Sequence, residues 1–500
     1  MDWNGEIAVG ITVGNAQARA AIYEDGQPRL VPLEEGEYAM PSAVLLHRLR
    51  EVGKYAYLYS GTDPNLLVTS INRLLGRRYS QLQGELSNLP FEVCNERDCI
   101  RVIGQLSNVY TPIELYAMVL RKLKQATERY LGRTVNQAVL AVPGSFDDFQ
   151  RRSVRVAAES VFSRVKLINE PTAALLMMVE RARIPLNCHL MTFDLGAGKC
   201  EVAMVERTAD CLRVKAITGD THLGGDDIDY RIYHFLAREF QREQGESMVG
   251  DSAMARHEVL MAVRAAKHQL ETEREATISV PFVNFDRFGR PLHLFTKITR
   301  RQVADLSTDL MERATQLIKQ CRRDANHSNT YRLLLLGGST RLPFIADIVS
   351  GVVRQDVWRV EDPDELAVLG ASLYGAQLNG QRQGVRIEDV TAHSLGITTY
   401  TGAMGFVLRR QAAVPVLTTR RFVTVEKNQR EVHIEVREGE NTGATANSRI
   451  GEFWLPLPPG LPRGSPIDVT IGKDEDGIVL VRARDHVSGA TREITITYDL

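Results

Sequence analysis

The chain has 500 residues, 44% of them hydrophobic and 25% charged, with 61 Lys and Arg against 62 Asp and Glu. That length suggests two to four domains, and the even charge balance gives no general pull toward nucleic acid or an anionic membrane. The six cysteines are scattered, with no CxxC pair and no Cys/His cluster, which argues against a metal site or a disulfide framework and fits a reducing compartment. The first ten residues lack a basic segment followed by an apolar one, and no apolar run approaches the ~20 residues of a membrane span. The expectation is a soluble, cytoplasmic protein.

Residues 7–23 read as an apolar strand, a turn carrying Gly10 and Gly14, and the return strand "ARAAIY". A glycine-rich hairpin tip lets backbone N–H groups approach an anion closely. Residues 111–132 have apolar spacings of three and four, a Thr-Pro start and a Gly stop, which predict a helix. Residues 153–162 and 171–183 behave similarly. Residues 190–207, "LMTFDLGAGKCEVAMVER", repeat the first hairpin pattern. The pair suggests a duplicated domain with one phosphate loop from each half, although β-rich proteins use glycine hairpins for other ends too. Residues 333–353 read as a buried strand, a Gly-Gly-Ser turn and a helix, whose free N–H groups suit an anion or nucleoside. Near residue 380 the texture changes. "LNGQRQGVRIED" reads as a linker, and the short alternating strands that follow, separated by turn signals, predict a β-sandwich.

Six segments in fixed order, "LINEPTAALL" (167–176), "FDLGAGKCEV" (193–202), "THLGGDDID" (221–229), "LLGGSTRLP" (335–343), "EDPDELAVLGAS" (361–372) and "DVTAHSLGI" (389–397), resemble the heat-shock 70-kilodalton, DnaK-type chaperones. The resemblance runs through essentially the whole chain. It implies an α/β actin-like, duplicated ATPase domain over 1–380, a linker over 381–391, and an all-β sandwich over 392–500 that grips extended apolar peptide. It also implies ATP or ADP with Mg²⁺ as cofactors. The expected partners are unfolded or client polypeptides, with J-domain proteins or nucleotide-exchange factors as helpers. Neither nucleic acid nor a membrane is expected. The family's C-terminal helical lid has no counterpart in this sequence.

Carried over residue by residue, the resemblance gives Asp194 the aspartate that organises Mg²⁺ through water, and Glu170 the carboxylate beside the attacking water. Gly14 and Asn15 fall in the first phosphate loop, and Gly196 and Gly198 in the second. Gly224 and Gly225 match the glycine pair over the phosphates. Gly337, Gly338, Ser339 and Arg341 match the turn that holds the nucleoside, followed by Asp364. Lys267 matches a residue packed on adenosine; its neighbour His268 stands where the family usually has Arg, and Arg264 where it often has an acid. The losses gather at the γ-phosphate. The family's first loop reads Asp-Leu-Gly-Thr-Thr, whereas here Thr12 replaces the Asp and Asn15 the hydroxyl. Asn72 occupies the position of the catalytic lysine, and in the second loop Lys199 replaces Thr and Glu201 the last Asp. Phosphoryl transfer rests on positioning and on neutralising charge, and losing one such stabiliser costs about 10²–10³ in rate. Hydrolysis is therefore expected to be weak or absent. Lys199 either supplies the charge that Asn72 lacks, without requiring Mg²⁺ at Thr12, or turns to water as a drifted loop residue.

Pro143 and Arg151 match the family's switch pair. The linker offers Val385, Ile387 and Val390 with Arg386 and Glu388 between them, less apolar area than a leucine run, which predicts weak coupling between the domains. The resemblance lines a peptide groove with Ile397, Tyr400, Phe422, Val425, Val432, Ile434 and Ile467, and without a lid the peptide would leave quickly. The leading reading is a divergent, lidless chaperone that binds nucleotide and hydrolyses it poorly. Two others stand beside it. One is a working ATPase that relies on Asp194, Glu170 and Lys199. The other is a nucleotide-sensing scaffold for one partner.

Overall fold

The structure is a computed structural model; it describes residues 3, 6–82, 84, 86, 89–250, 252–326, 331–354, 357–487 and the backbone of 491–494. One five-strand pattern occurs twice. In the first sheet the order is Arg164–Asn169, Gln137–Val142, Ala8–Val13, Gln17–Glu24, Gln27–Leu30. In the second it is Val357–Trp358, Arg332–Leu336, Cys188–Leu195, Cys200–Arg207, Cys211–Asp220. In both, the central strand runs parallel to its neighbour on one side and antiparallel to its hairpin partner on the other. Each glycine hairpin therefore occupies the same place in its own sheet, with its tip at the end of a central strand.

The strands read as buried on both faces, as expected for sheets covered by helices: all six residues of Ala8–Val13 are buried, and so are Leu190 to Leu195. Pro112–Leu131 begins with a reciprocal cap, in which Thr111 and Glu114 bond each other's backbone N–H, and ends at Gly132 in the left-handed conformation. The helix Leu366–Leu378 packs on Ala8–Val13 and on the helix Glu170–Glu180. Gly10 makes this possible, because a Cβ there would lie 2.3 Å from the Ser372 backbone nitrogen. Its role is helix packing rather than a phosphate cradle. Among the described residues, no helix is long and apolar enough to cross a membrane, and all six thiols are free.

After residue 394 two four-stranded antiparallel sheets face each other. One holds Met404–Leu408, Leu395–Thr398, Glu431–Glu438 and Ser448–Pro456; the other holds Val416–Val423, Pro466–Lys473, Val479–Asp485 and Thr491–Ile494. Ile397, Ile434, Val436 and Phe453 from the first meet Ile467, Val469, Ile471 and Val481 from the second in one core. The sequence strand "REITITYDL" lies outside the described residues beyond 494.

The segment read as a spacer is itself a strand. Arg386–Val390 pairs in parallel with Cys211–Asp220 and antiparallel with Ala413–Val414, which widens the second sheet to seven strands. The expectation of weak docking looked only at apolar area. Backbone pairing depends little on side-chain type, and here it joins the sandwich to the rest of the chain. Polar contacts reinforce the junction. Asp148 accepts from the Val479 N–H (2.6 Å), Arg152 donates to the Val479 carbonyl (2.6 Å), and the Asp148 N–H donates to Glu438 (2.9 Å).

Candidate functional site

A cleft of ≈ 630 Å³ opens between the two repeated sheets, lined from both. Its floor is formed by the two hairpin tips. The first turn closes by a bond from the Gly14 N–H to the Gln17 carbonyl (2.9 Å). Asn15 projects toward the opposite loop, so that a side chain at Gly198 would collide with its amide. Thr12 is buried beneath. Asn72 donates to the Val13 carbonyl (2.6 Å) and so ties down the first loop, while its own carbonyl oxygen is buried without a protein partner. None of these three side chains is charged.

The second tip is dense with charge. The turn closes from the Gly196 N–H to the Lys199 carbonyl (3.0 Å), and the Lys199 side chain folds inward, with only 16% exposed. Its ammonium lies 2.5 Å from Glu170, 2.7 Å from Asp194 and 3.5 Å from Glu201. Lys199 is thus an interior cation, and the alternative of a loop residue turned to water is discarded. Burial works against its charge, but the three carboxylates outweigh burial and hold it protonated well above the ordinary lysine value. One ammonium cannot balance three carboxylates. The shortfall falls on Glu170, which burial, opposed by Lys199 and assisted by Asp194, pushes up to about 7. Glu201 is fully buried, and its second oxygen accepts from the Ser145 N–H (2.7 Å). The Ser145 carbonyl in turn meets His393 at the base of the sandwich (2.9 Å).

The far end of the cleft follows from a strand-turn-helix. Arg332–Leu336 ends at Gly337, with φ 79°, where a Cβ would strike Asp194 and the Leu195 carbonyl; only glycine suits both the backbone and the space. Gly338 begins the turn Gly338–Arg341, and Ser339 donates to the Gly196 carbonyl (2.9 Å). Arg341 and Arg19 both reach Asp364, at 3.1 and 3.3 Å. Sequence reading missed Arg19. Its signal was a lone arginine in the apolar return strand "ARAAIY", at a position that faces the cleft. Lys267 is buried, held by Asp229 (2.7 Å) and the Gly225 carbonyl (2.9 Å), and Arg264 lies near Asp226, Asp229 and the Tyr57 hydroxyl. His268 is largely exposed, bonded to Glu271. Gly224 and Gly225 pack on the second loop, where Gly225 and Asp226 donate to the Gly196 and Ala197 carbonyls; they back the cleft wall and leave the lining to their neighbours. Ser70 and Arg73, also missed, cross the cleft to Asp226 and Asp227.

Pro143 touches the cleft. Arg151 is buried behind it, donating to the Gly144 carbonyl (3.1 Å), to Asn169 (2.5 Å) and to the Asp476 carbonyl of the sandwich (3.3 Å). The seven groove residues divide. Ile397, Ile434 and Ile467 are in the sandwich core, Phe422 and Val432 are half-buried against it, and Tyr400 and Val425 are exposed.

The donor set around Asp194 does not suit a magnesium ion. Mg²⁺ takes six oxygens at about 2.0–2.1 Å, several of them water, and Lys199 already engages these carboxylates. Among the described residues, no group of three or more His, Cys, Asp or Glu side chains is arranged to hold a metal. The family profile described as Hsp70 protein matches residues 8–499, so the chain belongs to the Hsp70 family of ATP-binding chaperones.

Proposed function

We propose that this chain binds ATP or ADP in the cleft between its two hairpins, hydrolyses ATP very slowly or not at all, and links nucleotide occupancy to a sandwich that holds apolar polypeptide. Lys199 carries the reading. The carboxylates that would organise metal and attacking water are engaged by an ammonium, while Thr12 and Asn72 leave the opposite loop uncharged. Two missing stabilisers, each worth about 10²–10³ in rate, leave little catalysis even though such effects are not additive. The cradle itself remains, in the glycine turns 14–15, 196–198 and 337–341. Coupling to the sandwich runs through Arg151, through Glu201, Ser145 and His393, and through the strand Arg386–Val390. Calorimetry with ADP and ATP tests binding, where no heat with either nucleotide sinks the reading. Single-turnover hydrolysis tests the chemistry, and turnover at the rate of an ordinary family member favours a working ATPase instead.

The seclusion of Ile397, Ile434 and Ile467 in the core favours the second reading, a nucleotide-sensing scaffold for one partner. A peptide array separates the two: many apolar hits support general peptide holding, and none or one supports the scaffold.

A further inference from the structure

The position of Lys199 bears on the metal as well as on the rate. The Lys199 ammonium donates to Asp194 and Glu201 and pairs in charge with Glu170, so three carboxylates surround it. All four side chains are at least four-fifths buried, with Glu201 fully so. Each carboxylate is anchored a second way. Asp194 lies one residue before the end of a central strand, beside Gly337, Glu170 opens the helix Glu170–Glu180, and Glu201 holds the Ser145 N–H. Lys199 is anchored through its own hairpin turn. An arriving divalent cation would meet a like charge a few ångströms away in a site screened from water, where repulsion is strong. Displacing Lys199 would leave a buried ammonium unpaired, which is costly. The opposite loop offers no compensation, because Thr12 stands where the family has a carboxylate.

We infer that Lys199 is a tethered replacement for the divalent cation, so that this cleft excludes Mg²⁺ and takes its nucleotide free of metal. The inference rests on the nucleotide-binding reading for its second half, while its first half concerns metal alone. The backbone N–H groups of the two glycine turns would carry the phosphate contacts that magnesium shares elsewhere. Metal-free binding of this kind favours the diphosphate over the triphosphate, since the third phosphate would approach Asp194 and Glu170 with no divalent charge between them.

Two arms test it on the full chain. In the first, Mn²⁺ is titrated without nucleotide and followed by paramagnetic resonance. The native chain should bind none in the cleft, and Lys199→Thr, which restores the family's residue, should gain one site. Stoichiometric Mn²⁺ binding by the native chain that Lys199→Thr leaves unchanged overturns the inference. Lys199→Gln serves if the threonine variant does not fold. In the second arm, ADP affinity is measured by calorimetry with Mg²⁺ and with EDTA. The expected difference is under twofold, and a tenfold tightening by Mg²⁺ overturns the inference while leaving nucleotide binding intact. No ADP binding under either condition overturns the nucleotide reading, and the metal arm then judges metal exclusion alone.

Discussion

At the tip of the hairpin 8–24 the cleft meets Thr12, Asn15 and Ala16, all uncharged. At the tip of the hairpin 188–207 it meets Asp194 and Lys199, with Glu201 behind. The two hairpins hold the same place in two sheets of the same strand order, so the backbone does not account for the contrast. Side chains alone do. A turn closed by backbone bonds, such as Gly14 N–H to Gln17, keeps its shape when its polar side chains are exchanged. Charge has left one tip and gathered at the other, where it is balanced internally. Among the described residues, the second hairpin connects onward to the sandwich through Glu201, Ser145 and His393.

The largest expected effect breaks the contrast at its charged end. Lys199→Met removes the ammonium that three buried carboxylates share and should cost about 3–5 kcal/mol of stability at pH 8, read from urea unfolding. Next comes an exchange of chemistry between the tips. Thr12→Asp with Asn72→Lys rebuilds the family's first loop, but Lys199 still engages Asp194 and Glu170, so the double variant should gain little. Adding Lys199→Thr should raise single-turnover hydrolysis by about 10²-fold or more over the native chain. An equal gain from the double variant alone would mean that Lys199 does not block the site.

A third test follows the connection to the sandwich. Asp147, half-buried where the helix Asp148–Glu159 meets the sandwich, is pushed up to about 7 by burial and by Glu438, with Asp148 adding to this and the Gln150 N–H and Lys473 opposing it. Because its folded value lies above its unfolded one, the folded state takes up a proton. Stability is therefore lost as pH rises from about 4 to about 7 and changes little from this group above that. Asp147→Asn keeps a helix cap and should gain on the order of 2 kcal/mol over the native chain at pH 8, with the gain gone by pH 4; thermal melts across pH report it. The smallest effect belongs to the uncharged tip: Asn15→Ala should shift stability by less than about 1 kcal/mol, within the range of surface polar changes.

Much of this was legible in the sequence because it is local. The cap at Thr111 and the stop at Gly132 depend on neighbours three or four residues away, and the alternating strands after 394 carry their own period. The same holds for the second nucleotide turn, where a Gly-Gly-Ser after an apolar strand announced a backbone that only glycine can follow. The cleft residues were legible through ordered motifs, and so were the losses at Thr12 and Asn72. Arg19 was overlooked because one arginine among alanines carries no period, and its partner Asp364 is 345 residues away.

The sequence by itself determined the family, the two hairpins and which charges are missing from the first. Only the tertiary structure decided where Lys199 goes. Its partners Asp194 and Glu201 share its hairpin, but Glu170 comes from a separate helix, and that convergence depends on how sheet and helix pack. Packing also decided that Gly10 admits a helix rather than a phosphate, that Ile434 and Ile467 are core residues, and that 386–390 is a strand. Periodicity and turn chemistry act over a few residues and can be read in order. A buried charge is placed by whichever opposite charges the folded chain brings within reach, and that distance is not written along the sequence.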